Sequence, residues 1–340
     1  MTNLVFYIVA ILTFICIDSI LTWGLNIQFG YAGILNFALI IFMALGAYVT
    51  GVLSLGPANG ISGQTYALGL SWPFPLTLLI GGLAAAAFGG VVGLIALKRL
   101  RSDYMAIVTV AVGVITYDFV GNTTRLFNGW DGLGSVPQPF YGIGGTGFTD
   151  YQFIFLGISI VVTALMFLLT WRIQHSPFGR TLRSIREDQD VSEAFGKNTF
   201  LYRMMAMVIG CFYAGIAGGL LIEYITAINP SGWTTGETFV IWTALLIGGT
   251  GNNWGAALGA LLVPVLFQEV TRFIPSSITL NHPDLVPALR NIVVGTLLIL
   301  VLWFRPQGII PERKAKFDYQ PTEPAPPAAQ AQEDVNVAAG

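Results

Sequence analysis

Apolar runs of about 20 residues, separated by short polar stretches, dominate the chain, and that length matches the roughly 30 Å hydrocarbon core of a bilayer at about 1.5 Å per helical residue. They fall near Leu4 to Leu21, Leu35 to Leu53, Phe74 to Leu97, Tyr104 to Gly121, Phe153 to Trp171, Met204 to Ile222, Thr238 to Gly249, Trp254 to Phe273 and Ala288 to Phe304. The seventh is short. The glycine-rich stretch Gly24 to Gly33 has the composition of a broken or re-entrant helix. The pattern predicts an all-α polytopic membrane protein of about eight to ten transmembrane helices over residues 1–310. From Met1 to Leu97 the only charged side chain is Asp18, and over the 340 residues 54% are apolar, 10% are charged and mean hydropathy is +0.69. Such a chain cannot hide its apolar surface from water, so a soluble protein is excluded and the lipid bilayer is its first partner.

Charge sets the orientation. The loops expected to share one side hold thirteen of the sixteen basic residues, from Lys98, Arg99 and Arg101 through Arg172 to Arg203 to the group at Arg305 to Lys316. The opposite side has Arg125, Arg272 and Arg290. The basic side is therefore expected to be cytoplasmic, with the N-terminus outside and the C-terminus inside. Residues 311–340, rich in Pro, Ala, Gln and Glu, read as a disordered cytoplasmic tail and a poor place to look for function. No secretory signal peptide is expected, because the first apolar run lacks a basic flank. A net charge of −2 gives no reason to expect nucleic acid. Cys16 and Cys211 lie in apolar runs and read as packing residues.

Catalytic machinery is missing. There is no GxxxxGK[ST] to hold a nucleoside triphosphate and no HExxH. Gly142, Gly144 and Gly147 fit GxGxxG, but no strand and helix flank them. His175 and His282 stand without partners at catalytic or metal-ligand spacing. No metal site, cofactor or enzymatic activity is expected of this chain. Asp18, Asp118, Glu223 and Glu269 sit within a turn or two of a span end, and each reads as an interfacial carboxylate reaching water or a helix end. No carboxylate relay marks the middle of a span, which argues against an ion-driven carrier.

Three features remain. Gly251, Gly255 and Gly259 form a tandem GxxxG ladder for close helix packing, within the chain or between copies, with Gly215/Gly219 and Gly89/Gly93 as further pairs. Asn26, Gln28, Tyr31 and Asn36, interleaved with glycines, are either the lining of a pathway for polar, net-neutral solutes or a helix break whose amides bond neighbouring spans. The loop from Arg172 to Arg203 carries Arg180, Arg183 and Arg186 three apart. A short helix follows from Asp188 to Phe195, ended by Gly196, with Val191, Ala194 and Phe195 making one apolar patch. That patch needs a surface to cover it, either lipid or another protein, unless the loop is a solvated linker.

Six motifs in order carry a resemblance: Gly24-LNIQFGYAG-Ile34 with Gly46-Ala-Tyr48, Leu100-RSDYMAIVT-Val110, Asn128-GWDGL-Gly134, Ser176-PFGRTLRSIRED-Gln189 through Lys197, Gly248-GTGNNWGAALG-Ala260 and Leu302-WFRPQG-Ile309. Over about Leu21 to Ile310 the chain resembles the LivM-type permeases of branched-chain amino acid ABC transporters. One departure is Asn36-Phe-Ala-Leu-Ile40, where the family often reads a Gly followed by a polar residue. The resemblance implies one half of a heterodimeric pore in a prokaryotic inner membrane, paired with a LivH-like permease. It also implies two cytoplasmic ATPase subunits that bind the ATP and an extracytoplasmic solute-binding protein. In that reading Asp188 to Gly196 is the coupling helix, inserting Val191, Ala194 and Phe195 in an ATPase groove, with Arg180, Arg183 and Arg186 fixing the loop. Asn128 to Gly134 would face the binding protein. A urea or short-chain amide permease of the same class is the alternative, and a stand-alone channel or secondary carrier the more distant one.

Overall fold

The computed structural model describes residues 2–57, 64–99, 102–141, 148–272, 285–305 and 307–312. Among them the chain forms α1 (Thr2–Leu25), α2 (Leu39–Ser54), α3 (Leu76–Arg99), α4 (Ser102–Asn122), α5 (Thr124–Phe127), α6 (Phe148–His175), α7 (Pro177–Glu187), α8 (Gln189–Ala194), α9 (Thr199–Ile225), α10 (Thr235–Gly248), α11 (Asn253–Arg272) and α12 (Leu285–Phe304). Each of the nine apolar runs contains or coincides with one helix, and the described residues hold no extended strand, only two isolated bridges. Five helices, in α1, α3, α4, α6 and α9, are long and apolar enough to cross a bilayer. α2 is a shorter apolar helix, and the described apolar stretches of α11 and α12 are Asn253–Val263 and Gly295–Phe304. The 14-residue α10 is about 21 Å long and needs its flanking turns to complete a crossing.

Glycine contacts hold the centre together. A Cβ on Gly46 of α2 would lie 2.4 Å from Gly215 Cα of α9, and one on Gly218 of α9 would strike the Met43 carbonyl. Gly81 of α3 similarly faces the Gly46 carbonyl, and Gly89 faces Cys211. The α2, α3 and α9 backbones therefore meet at distances that only glycine allows, and dispersion contacts replace the hydrophobic drive that lipid does not supply. α1 packs beside this unit against α6, α9 and α11. Val240, Ala244, Ile247 and Val263 form a second, smaller core between α10, α11 and α12, with Leu297 and Val301 against it. The outer surface is apolar, with Leu83, Ile95, Ile107, Ile115 and Leu168 all more than half exposed, as lipid-facing side chains must be.

The predicted Gly251-Gly255-Gly259 ladder is only partly helical. Gly255 and Gly259 do lie on α11 and press on the Gly248 and Ala244 carbonyls of α10 in the same chain. Gly251 instead sits in the turn before α11 with φ +77°, where a positive φ is required and a Cβ would meet the Glu312 carboxylate. The Asn252 side chain caps the helix start, accepting from the Trp254 amide at 3.0 Å, and the first ladder position lies outside the helix. The GxGxxG glycines, His282 and the Glu269 side chain lie outside the described residues.

Packing of this kind predicts a contrast between two glycines. Gly255→Leu places a side chain against backbone at 2.6 Å and should cost on the order of 1–3 kcal/mol, read as a lower melting temperature in detergent. Gly157→Leu on α6 meets nothing within 4 Å and should leave the melting temperature unchanged.

Candidate functional site

At the end of α1 the helix widens into a π-helical turn, Asn26–Tyr31, and Gly33 reverses the chain with φ +66° before α2 begins at Leu39. A break at membrane depth frees backbone groups that lipid cannot satisfy, so side chains and other spans must bond them. The Trp242 indole N–H of α10 donates to the Asn36 carbonyl at 3.0 Å, and Asn36 Oδ1 accepts from the Ala38 amide at 2.9 Å. Gln28 donates to the Met207 carbonyl of α9 at 3.1 Å and accepts from Asn36 Nδ2 at 2.9 Å. Asn26 Oδ1 accepts from the Gly251 amide at 2.9 Å. Asn253 is the hub: its Oδ1 accepts from Asn26 and from the Tyr31 hydroxyl, its Nδ2 donates to Gln174 of α6 at 2.8 Å, and its carbonyl accepts from Trp23 Nε1. Asn26, Gln28, Tyr31 and Asn36 are all fully buried. Of the two readings open for these four residues, their geometry here is that of interspan braces. None of them lines the large cavities described below.

The basic loop reaches this break directly. α7 starts at the Ser176 cap, with Pro177 in its first turn, and buries Gly179, Leu182 and Ile185. Its Arg186 pairs with Glu312 at 2.7 Å and donates a second hydrogen bond to the Gly30 carbonyl inside the π turn. Arg183 pairs with the other Glu312 oxygen at 3.0 Å and lies 5.2 Å over the Tyr31 ring. Arg180 points away and is exposed, because residues six apart on a helix diverge by about 120°. Glu312, which the sequence places at the head of the tail, is thus part of the folded body. Ile309 and Ile310 bond the Ile247 and Gly248 carbonyls and carry Glu312 to the arginines. Residues 313–340 lie outside the described residues. A 430 Å³ cavity opens beside this clasp, lined by Phe29, Gly33, Thr250 and Gln307.

α8 is mounted rigidly on the same frame. The Asp188 carboxylate caps it, accepting from the Val191 amide at 3.0 Å, and Gly196 ends it with φ +75°. Ser192 bonds Ser184 of α7 at 3.0 Å, Gln189 accepts from Arg203 of α9 at 2.9 Å, and Glu193 accepts from Thr199. The hydrogen bonds from Thr199 and Gln189 hold the Glu193 carboxyl below its ordinary range. Val191, Ala194 and Phe195 remain exposed on the outer side, Phe195 by 80%. The apolar patch predicted on this helix is thus present and open, on a scaffold held by hydrogen bonds.

At the opposite end of the bundle, Asn128 organises the Asn128–Gly134 loop, accepting from the Thr65 amide at 2.9 Å and donating to the Gly132 carbonyl at 2.7 Å. Leu133 and Ile228 pair through two backbone bonds of 2.8 Å. Beside them opens a 630 Å³ pocket lined by Gln64, Asp131, Asn229 and Trp233. Sequence reasoning does not single out Asn253, Gln174 or Glu312. The Gly-Thr-Gly-Asn-Asn turn offers a cap, which Asn252 supplies, but nothing local tells that the next side chain, Asn253, joins three spans.

The family described as branched-chain amino acid transport system / permease component matches residues 7–302, and the chain belongs to it. The chain is 30% identical over 318 residues to a probable branched-chain amino acid transport permease protein LivM of Methanocaldococcus jannaschii, with 86% of this chain and 90% of that one covered. It is 28% identical to the high-affinity LivM permease protein of Escherichia coli K12, covering 89% of this chain and 70% of that one. It is also 27% identical to the LivH permease protein of Salmonella typhimurium, covering 86% and 90%. No solved structure matches.

Two outcomes follow from the hub and the clasp. Asn253→Leu removes the acceptor that Asn26 Nδ2 and the Tyr31 hydroxyl share in a buried site and should cost at least about 2 kcal/mol in detergent unfolding. A double-mutant cycle of Arg186→Met and Glu312→Gln should give a coupling of about 1–2 kcal/mol, and additive single effects would count against the clasp.

Proposed function

We propose that this chain is one permease half of an ABC importer that carries leucine, isoleucine and valine across a prokaryotic inner membrane. The observation that carries the reading is the match to LivM permeases along nearly the whole chain. The chain also matches LivH permeases over 86% of its length. A common fold in both subunit types is what a pseudo-symmetric pair requires, so the pore-forming partner is a LivH-like permease.

The engine lies elsewhere, since the sequence has no phosphate-binding loop. Two ATPase subunits bind ATP on the face that carries the basic loop, which the positive-inside rule makes cytoplasmic, with the N-terminus outside. α8 is the coupling helix. Val191, Ala194 and Phe195 enter an ATPase groove, and Arg183 and Arg186 pass its displacement through the Glu312 clasp to Gly30 and Tyr31 in the broken first span. The end bearing the Asn128–Gly134 loop receives substrate from an extracytoplasmic binding protein. A urea or short-chain amide permease keeps the same architecture and differs in the solute. The Asn36 to Ile40 departure is the observation that favours keeping this second reading, and substrate competition separates the two.

Labelled leucine uptake in a strain lacking this gene should return with the wild-type chain and be competed by isoleucine and valine but not by urea. Competition by urea alone would favour the amide reading. Val191→Ala with Phe195→Ala should abolish ATPase co-purification and ATP-dependent uptake while leaving membrane insertion intact, since truncating a buried aromatic costs about 3–5 kcal/mol at an interface. Full transport with normal co-purification would refute the coupling role of α8.

A further inference from the structure

Glu223 has the position of an interfacial carboxylate in the sequence, near the end of α9. In the structure it is 1% exposed, buried against its neighbours and not extended to the surface. Its Oε1 accepts one long hydrogen bond from the Thr77 hydroxyl of α3, at 3.4 Å. Its Oε2 has no partner among the described residues, and no lysine or arginine there pairs with it. In either protonation state the long Thr77 contact is the one hydrogen bond the carboxyl has among the described residues, and the ionised form has no cation beside it. A buried ion is retained only where a partner completes it.

The place for that partner is a cavity. Glu223 lines a 560 Å³ space at the same end of the bundle as the Asn128–Gly134 loop, a volume within the roughly 300–1,000 Å³ of small-molecule sites. Its other walls include Trp72, Phe74, Phe140 and Tyr141, with Ser54 and Gln138 as polar neighbours. Phe74 and Phe140 meet edge to face with centroids 5.9 Å apart. One buried carboxylate among aromatic faces is complementary to a primary ammonium carried on an apolar body. The carboxylate takes the charge, the ring faces attract the cation, and the apolar walls take the aliphatic part.

We propose that this cavity is a binding site for an amino acid, with Glu223 as the residue that receives its ammonium group. The inference rests on the amino-acid reading above and deepens it. It assigns the recognising contact on the permease itself, at the end where solute is handed over. Discrimination against anions follows, because an anion offers the carboxylate neither a cation nor a donor.

The test uses the full chain in nanodiscs at pH 7, titrated calorimetrically with leucine amide, which has the ammonium without a carboxylate, and with 4-methylpentanoate, which has the carboxylate without the ammonium. Leucine amide should bind the wild type, 4-methylpentanoate should not, and Glu223→Gln should weaken leucine amide at least tenfold with an unchanged melting temperature. Equal binding by Glu223→Gln, no leucine amide binding by the wild type, or equal binding of the two probes would overturn the proposal. Where Glu223→Gln does not fold, the two probes on the wild type decide. Leucine uptake by the wild type in the deletion strain is scored separately. Its absence would sink the amino-acid reading, whereas uptake without Glu223-dependent binding would sink only this site.

Discussion

A helix broken inside a membrane must have its freed backbone groups bonded by protein, and the structure around residues 26–38 is arranged to do so. Asn36 terminates the break by capping the approach to α2, Gln28 ties it to α9, and Asn26 ties it to the turn before α11. Asn253 gathers Asn26, Tyr31 and Gln174 at its side-chain amide and Trp23 at its backbone carbonyl. Four spans are thereby fixed relative to one another by hydrogen bonds that water cannot replace. Gly30 and Gly251 must be glycine for this to close, since a Cβ on Gly30 would overlap both Asn26 and the Gly251 amide. Packed, fully bonded elements of this kind move as units between discrete arrangements more readily than they deform.

The same break is where the basic loop takes hold. Arg186 bonds the Gly30 carbonyl and, with Arg183, encloses Glu312, so α7, the first span and the segment after α12 share one set of charges. α8 is bolted to α7 and to α9 through Ser184, Arg203 and Thr199. A push on Phe195 therefore has a short bonded route to the unwound turn, with no flexible linker between. In the proposed importer this is how nucleotide-driven closure on one side reaches the spans that enclose the solute.

The spans were legible because each is an uninterrupted apolar run of membrane length, and the short α10 was legible as short. The break was legible from glycines interleaved with amides, and α8 from its acidic cap, apolar triad and terminal glycine. Long-range pairing was not. Spacing alone put Arg180 beside Arg183 and Arg186, but helical divergence turns it outward while Glu312 draws the other two in. Glu312 itself reads as tail because its neighbours in sequence are Pro, Lys and Arg. Its role comes from Ile309 and Ile310 pairing with the end of α10, across more than sixty residues. Glu223 reads as interfacial from its distance to the span end, whereas the Pro137–Tyr141 segment that walls its cavity is remote in sequence.

The central claim is that force applied to α8 reaches the broken first span through Arg186 and Glu312. It is tested most directly by counting leucine molecules imported per ATP hydrolysed in proteoliposomes of the complete transporter carrying Arg186→Gln. The account predicts that the ATPase subunits still co-purify and hydrolyse ATP at the wild-type rate while leucine imported per ATP falls at least tenfold. An unchanged ratio of leucine to ATP would contradict it.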